Sequence, residues 1–295
     1  MKYIDRIEKI IKETEKDLIN FNIQIEYDEE NERVPTQAFG EFLTNREQGD
    51  WAENSILKAI NLKFKEIIAV PYGKNENLIA GDIGFKEFYK DYKKELSEIG
   101  KRPDILIFKK EIFEKYKEKD LTKLTIEEQI EIVPNAIAGI EVRSSAYLSN
   151  KYTPKEDRPN LTFTPKIEDF LVVKKWINTF NVPHYYLQVF FDSAFIISYE
   201  HILEIIKNSE KKGRNNKKFY IDDKLAFLLD NAPKNQFKST INIFLDSGVK
   251  ISNKVSFPLL EAKTKELANG RLLNYITFNS SDITLNENFS SYLKI

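Results

Sequence analysis

The chain contains no cysteine. That absence excludes disulfides, thiolate-bound zinc and a cysteine nucleophile, and it is consistent with a reducing, cytoplasmic setting. Histidine is scarce as well. The two present, His184 and His201, have neither metal-ligand nor HNH-like spacing, and His184 opens an apolar run as a satisfied core residue would. Charge of one sign is also missing, since 45 Lys and Arg face 46 Asp and Glu for a formal net charge of -1. Any surface that attracts nucleic acid must therefore come from local segregation of charge. Long apolar runs are absent too: residues 1–18 alternate apolar with charged side chains, unlike a signal peptide, and no stretch has the length and apolarity of a membrane span. A soluble cytoplasmic protein with no membrane partner is expected.

What is present is ample material for a core, with 41% hydrophobic and 13% aromatic residues in 295. That length suits one elaborated domain or two small ones. Ile4, Ile7, Ile10, Ile11 and Leu18 recur near helical spacing. Residues 27–49 lose that order, after which DWAENSILKA (50–59) predicts a helix with Asp50 as N-cap and Glu53 in its first turn. Strands are predicted at 66–70, from about Asp104 to Phe108, at 136–142, at 184–191 and at 194–198. Helices are predicted at 84–98, 167–180 and 199–207, and a charged surface insertion at 109–131. Residues 143–165 read as a long polar loop and 211–218 as a basic linker. No internal repeat or low-complexity tract is found. The order of elements implies an α/β layer with a mixed sheet, divided into an N-terminal segment 1–49, a core 50–208 and a C-terminal elaboration 209–295.

Two acidic residues fall at informative places. Asp104 begins one buried strand and Glu141 lies near the end of another, so the two meet if those strands are antiparallel neighbours. Two carboxylates and a backbone carbonyl, here that of Val142, suffice for Mg2+, which prefers oxygen ligands and keeps several waters for substrate to displace. Such a site suits phosphodiester hydrolysis. The plain alternative is a Pro-Asp turn device and a solvated E-x-R ion pair.

Pro103-Asp104, an apolar strand, a spacer and Glu141-Val142-Arg143 on a second strand resemble the PD-(D/E)XK nuclease signature, with Glu53 on a preceding helix as in many members. The runs GDIGFKEFYK, IGKRPDILIF, GIEVRSSAYL, LTFTPKIEDFLVVKKWI and VPHYYLQVFFD are similar to a group of type II restriction endonucleases, over roughly residues 45–205. The resemblance implies a restriction-endonuclease-like core, Mg2+-dependent and sequence-specific cleavage of double-stranded DNA, a homodimer, and functional pairing with a DNA methyltransferase. A repair or junction-resolving nuclease of the same fold, or a non-catalytic DNA-binding protein with a degenerate site, are the alternatives. The third motif position departs from the pattern, carrying Arg143 where lysine is usual. A guanidinium can hold a phosphate but cannot readily yield a proton, so Lys166, just ahead of a helix, is a second candidate for the catalytic cation.

Three stretches carry side chains suited to bases and phosphates, the basic segment 211–218, with charge for phosphate contacts, and two polar stretches. One holds Arg33, Gln37, Asn45, Arg46 and Gln48. The other leaves the proposed metal site directly and holds Ser144, Ser145, Asn150, Lys151, Arg158 and Asn160.

Overall fold

The computed structural model describes residues 2–14, 35, 37–74, 78–155, 160–209, 212–214, 218–222, 225–228, 240–280 and 282–294. In chain order the elements are α1 (Tyr3–Glu13), α2 (Gly40–Lys63), β1 (Ile67–Pro71), α3 (Phe85–Ile99), β2 (Ile105–Lys109), the one-turn α4 (Lys110–Phe113), α5 (Ile126–Ile132), β3 (Ala138–Ser144), β4 (Thr162–Phe163), α6 (Ile167–Phe180), β5 (His184–Val189), β6 (Ala194–Ser198) and α7 (Tyr199–Lys207). The remainder is mostly strand: β7 (Lys212–Arg214), β8 (Lys218–Asp222), β9 (Leu225–Leu228), β10 (Ile241–Phe244), β11 (Val249–Ser252), β12 (Lys254–Val255), β13 (Leu259–Glu266), β14 (Leu272–Asn279) and β15 (Ile283–Thr284), closed by α8 (Asn288–Leu293).

Six strands form the central sheet in the order β1-β2-β3-β5-β6-β11. β3 pairs antiparallel with β2, through Ile105 opposite Ile140, and parallel with β5, through Glu141 opposite Tyr186. The sheet is therefore mixed, and α6 lies in the connection that the parallel pair requires. Strand alternation sorts side chains onto two cores. Leu106, Phe108 and Tyr186 pack with Ile7 and Ile10 of α1, Phe170, Trp176 and Ile177 of α6, and Ile202 and Leu203 of α7. Ile105, Ile107, Ile140, Val142 and Leu187 pack with Ala52, Ile56 and Ile60 of α2 and Phe289 of α8. Each such aliphatic removed from water contributes about 1.5–3 kcal/mol before the entropy of ordering is subtracted. A second sheet, β4-β10-β9-β8-β7, the antiparallel pair β12-β15 and the hairpin β13-β14 are the other sheets among the described residues.

Several sequence expectations need correction. α2 starts at Gly40, ten residues before Asp50, so Asp50 is interior to the helix and not its N-cap, and Glu53 lies in mid-helix. The hairpin explains the extension: Ala38 and Leu43 form a third, small core with Leu267 and Leu273 of the hairpin region. Asn45, Arg46 and Gln48 are thus on a helix and not in a loop. Within 109–131, Leu121 and Leu124 are buried and Thr125 caps α5 through a reciprocal bond with Glu128, so this segment is partly built into the body. The described parts of the basic tract, 212–214 and Lys218, are strand rather than linker. The helix over 1–18 is described to Glu13, and Leu18 lies outside the described residues.

Candidate active site

The ends of β1, β2 and β3 bring together residues that are far apart in sequence. Asp104 immediately precedes β2, and its main-chain carbonyl accepts from Tyr72 and Gly73 N–H at 2.8 and 3.1 Å. Its Oδ2 accepts the Val142 N–H at 2.6 Å. The residue is thereby fixed to the strands on both sides. Gly139 lets Pro103 approach, because a Cβ there would lie 2.7 Å from the proline ring and 2.9 Å from Trp176.

Glu141 lies between Ile140 and Val142, which face the α2 core, so its side chain emerges on the opposite face. It is only 2% exposed. Its Oε1 receives Lys101 Nζ at 2.6 Å and Arg143 Nη2 at 2.8 Å. Its Oε2 is buried with no hydrogen-bond partner among the described residues. Asp169, in the first turn of α6, holds the same cations from the other side, with Arg143 Nη2 at 3.1 Å and Lys101 Nζ at 3.9 Å.

Lys101 is held by its backbone. Gly100 ends α3 at φ 86°, and a Cβ there would stand 2.4 Å from both Val172 O and Trp176 N. Only glycine permits both that conformation and that approach. The next N–H, of Lys101, donates to Val172 O at 3.1 Å, which seats the ammonium between α6 and β3.

The protonation equilibria follow from this layout. Burial, followed by the repulsion of Glu141, pushes Asp104 up to about 7 despite its bond from Val142 N–H and the nearby cations. Burial, with the charges of Asp104, Asp50 and Glu141, pushes Glu53 up to about 10. Burial also opposes ionisation of Glu141, but Lys101 and Arg143 outweigh it and hold the carboxylate below its ordinary value. Burial disfavours charge on Lys101, yet Glu141 and Asp169 reverse the balance and hold it above the ordinary lysine value. Arg143 is raised chiefly by Glu141. In both cations the neighbouring carboxylates favour the charged form.

The predicted residues separate into those that converge and those that do not. Asp104, Glu141, Val142, Arg143 and Glu53 converge. Lys166 does not: it is the exposed residue ahead of α6, it bridges to Thr240, and it makes no ion pair or side-chain hydrogen bond among the described residues. Lys101 and Asp169 were not singled out from sequence. The only signal for Lys101 was its place three residues before Asp104. Of the residues expected to meet DNA, Arg33 and Arg158 lie outside the described residues. Gln37 and Arg46 line a cavity of about 870 Å³ whose wall also contains Glu53, Lys101 and Asp104. Asn45, Asn150, Lys151 and Asn160 are exposed, and Ser144 is half-buried. The Asn150 N–H donates to Asp192 Oδ2 at 2.9 Å, and Ser145 Oγ accepts from Gln188 Nε2 at 3.0 Å. Gln48 is buried, and so is not available to a groove. His184 is a core residue as expected, but not a satisfied one: neither ring nitrogen has a partner among the described residues, and burial pushes its imidazole down to about 3.

These donors fit a hard divalent cation. The unpartnered buried Glu141 Oε2 and the carboxyl of Asp104, with Glu53 beside them, are oxygen donors only, and burial and mutual repulsion raise Asp104 and Glu53. Among the described residues no group of three or more His, Cys, Asp or Glu is placed to hold a metal ion.

No described helix is long and apolar enough to cross a membrane. No curated protein and no solved structure matches the chain. A family model described as AccI restriction endonuclease matches residues 1–158 and 154–295, and so spans the chain from end to end. With its acidic centre at the strand ends of a mixed α/β sheet, the chain belongs to the AccI restriction endonuclease family and is a type II, site-specific endodeoxyribonuclease.

Proposed function

We propose that Asp104 and Glu141 are the carboxylates of a Mg2+-dependent centre on a PD-(D/E)XK core, which hydrolyses phosphodiester bonds of double-stranded DNA. The observation that carries this reading is Glu141: one oxygen bound by two cations, the other buried and unpartnered. That free oxygen, the Asp104 carboxyl and the Val142 carbonyl would hold the ion. When bound, the ion supplies Lewis-acid activation of the scissile phosphate.

The chain's own cations do the rest. Lys101 and Arg143, whose charged forms Glu141 and Asp169 favour, would offset the negative charge that accumulates on phosphate oxygens in the transition state. Lys101 takes the part of the lysine that the motif carries two residues after its glutamate, reached from the loop ahead of β2 instead of along β3. Arg143 orients Glu141 and reaches toward the phosphate. Glu53, protonated in the metal-free protein, closes the α2 side. A homodimer follows from the need to cut both strands of a two-fold site. A cytoplasmic location and a cognate DNA methyltransferase that protects host DNA complete the reading.

Digestion of a sequenced genome in Mg2+ and in EDTA tests it. Discrete fragments whose ends share one sequence, formed in Mg2+ alone, are expected. Cleavage in EDTA, or fragment ends that follow DNA structure and not sequence, would contradict it.

A further inference from the structure

α3 carries an aromatic stripe with no protein partner in the cores. Phe85, Phe88, Tyr89 and Tyr92 recur at the spacing of one helix face, yet all four are only half-buried and none belongs to the three hydrophobic clusters. They stack on one another instead, Phe85 on Tyr89 with centroids 5.7 Å apart and Phe88 on Tyr92 at 6.3 Å. All four line the 870 Å³ cavity, opposite Phe39 and Phe42 at the start of α2, which are 60% and 51% exposed.

We infer that this cavity receives a nucleobase of the DNA substrate, turned out of the helix next to the phosphate being cut. The inference rests on the reading of Asp104 and Glu141 as the hydrolytic centre. Three features select this occupant. The cavity is continuous with that centre, because Glu53, Lys101 and Asp104 are part of its wall, so a strand whose phosphate lies at Asp104 has its neighbouring bases at the mouth. The wall combines aromatic faces with polar groups, among them Gln37, Arg46, Asp50, Asn54 and Lys74. Arg46 pairs with Asp50 and Lys74 with Glu95, each at 3.9 Å, so an apolar peptide or lipid would desolvate two ion pairs and the amides of Gln37 and Asn54, whereas a base offers a π face to the rings and a hydrogen-bonding edge to the polar groups. Finally, the volume lies within the roughly 300–1,000 Å³ of small-molecule pockets, so a nucleoside-sized group enters without rearrangement.

The test uses the full-length protein in EDTA and duplexes containing the cleavage site read from fragment ends. Each base in turn is replaced by 2-aminopurine, and in a parallel series each pair is replaced by a mismatch. One position is expected where 2-aminopurine fluorescence changes severalfold on binding and where a mismatch tightens binding, because that base must leave its partner in any case. Phe88→Ala and Tyr89→Ala, checked by circular dichroism to retain the wild-type melt, should each lower affinity for that mismatched duplex on the order of tenfold. Should either variant melt early, Tyr89→Leu, which keeps bulk but removes the ring, serves in its place with the same expectation. Cleavage without any such position, or a position indifferent to these substitutions, overturns the inference and leaves the hydrolytic centre standing. Absence of Mg2+-dependent cleavage overturns both.

Discussion

The two sides of the acidic centre are built on opposite principles. On the α6 side, Glu141 and Asp169 share two cations, Lys101 and Arg143, with contacts of 2.6 to 3.9 Å, so the charges there are paired and Glu141 keeps one unpartnered oxygen, Oε2. On the α2 side, Asp104 and Glu53 have no ion pair among the described residues, and their proton affinities rise to about 7 and about 10. The paired half holds geometry, since burying a paired charge costs far less than burying a lone one. The unpaired half stores a deficit of positive charge that an added cation can offset. A site paired on both sides would bind nothing, and one unpaired on both sides would not stay in place.

The largest effect expected from breaking this contrast is loss of cleavage. Asp104→Ala and Glu141→Ala should each reduce single-turnover cleavage by roughly a thousandfold or more, with circular dichroism spectra unchanged. A variant that cuts near the wild-type rate would show that its carboxylate is no ligand. Replacing Mg2+ with Ca2+ should also suppress cleavage while DNA binding measured by gel shift persists, since Ca2+ accepts the same oxygens with looser geometry. Equal cleavage in both ions would remove the geometric demand placed on this centre.

Next in size are the cations. Lys101→Ala and Arg143→Ala should each slow single-turnover cleavage by about a hundredfold, with Arg143→Lys retaining part of the rate, whereas exposed Lys166→Ala should change it by less than about twofold. If Lys166→Ala were inactive and Lys101→Ala unaffected, the assignment of the cation would be reversed.

The smallest effect is thermodynamic, and its sign is opposite to that of an ordinary ion-paired carboxylate. Asp104 titrates near 3.8 when unfolded and near 7 when folded, so between those values the folded metal-free protein binds more protons than the unfolded chain. Its contribution to stability is therefore lost as pH rises through that window. Glu53, moving from 4.5 to about 10, extends the decline to higher pH. Melting temperatures in EDTA from pH 5 to 9 should fall less steeply for Glu53→Gln than for wild type, by on the order of a few degrees at the upper end. An unchanged slope would mean that Glu53 carries no strained charge.

Much of this was legible in local pattern. The apolar runs after Asp104 and before Glu141 gave two buried strands, and their antiparallel pairing brings the acids together as expected. The helices carrying Trp176 and Ile202 were readable because each has one apolar face. α2 was shortened because its first turns pack on a hairpin more than 200 residues away, so residues 40–49 show no single stripe. Lys101 escaped notice because its position depends on Gly100 pressing against Val172, a contact that no local spacing encodes. The Arg143 departure suggested that a lysine had migrated. The sequence offered Arg143 first and Lys166 downstream as a second candidate, whereas the fold seats Lys101, from upstream, 2.6 Å from Glu141.

The claim that the α2 side is a deficit awaiting a cation is tested most directly by Asp104→Asn, whose amide oxygen can still accept the Val142 N–H. Thermal melts at pH 8 are recorded for wild type and variant, each in EDTA and in Mg2+. The account predicts that the variant melts above wild type in EDTA, and that Mg2+ raises the wild-type melt while leaving the variant unmoved. A variant that melts below wild type in EDTA, or that gains as much from Mg2+, would contradict it.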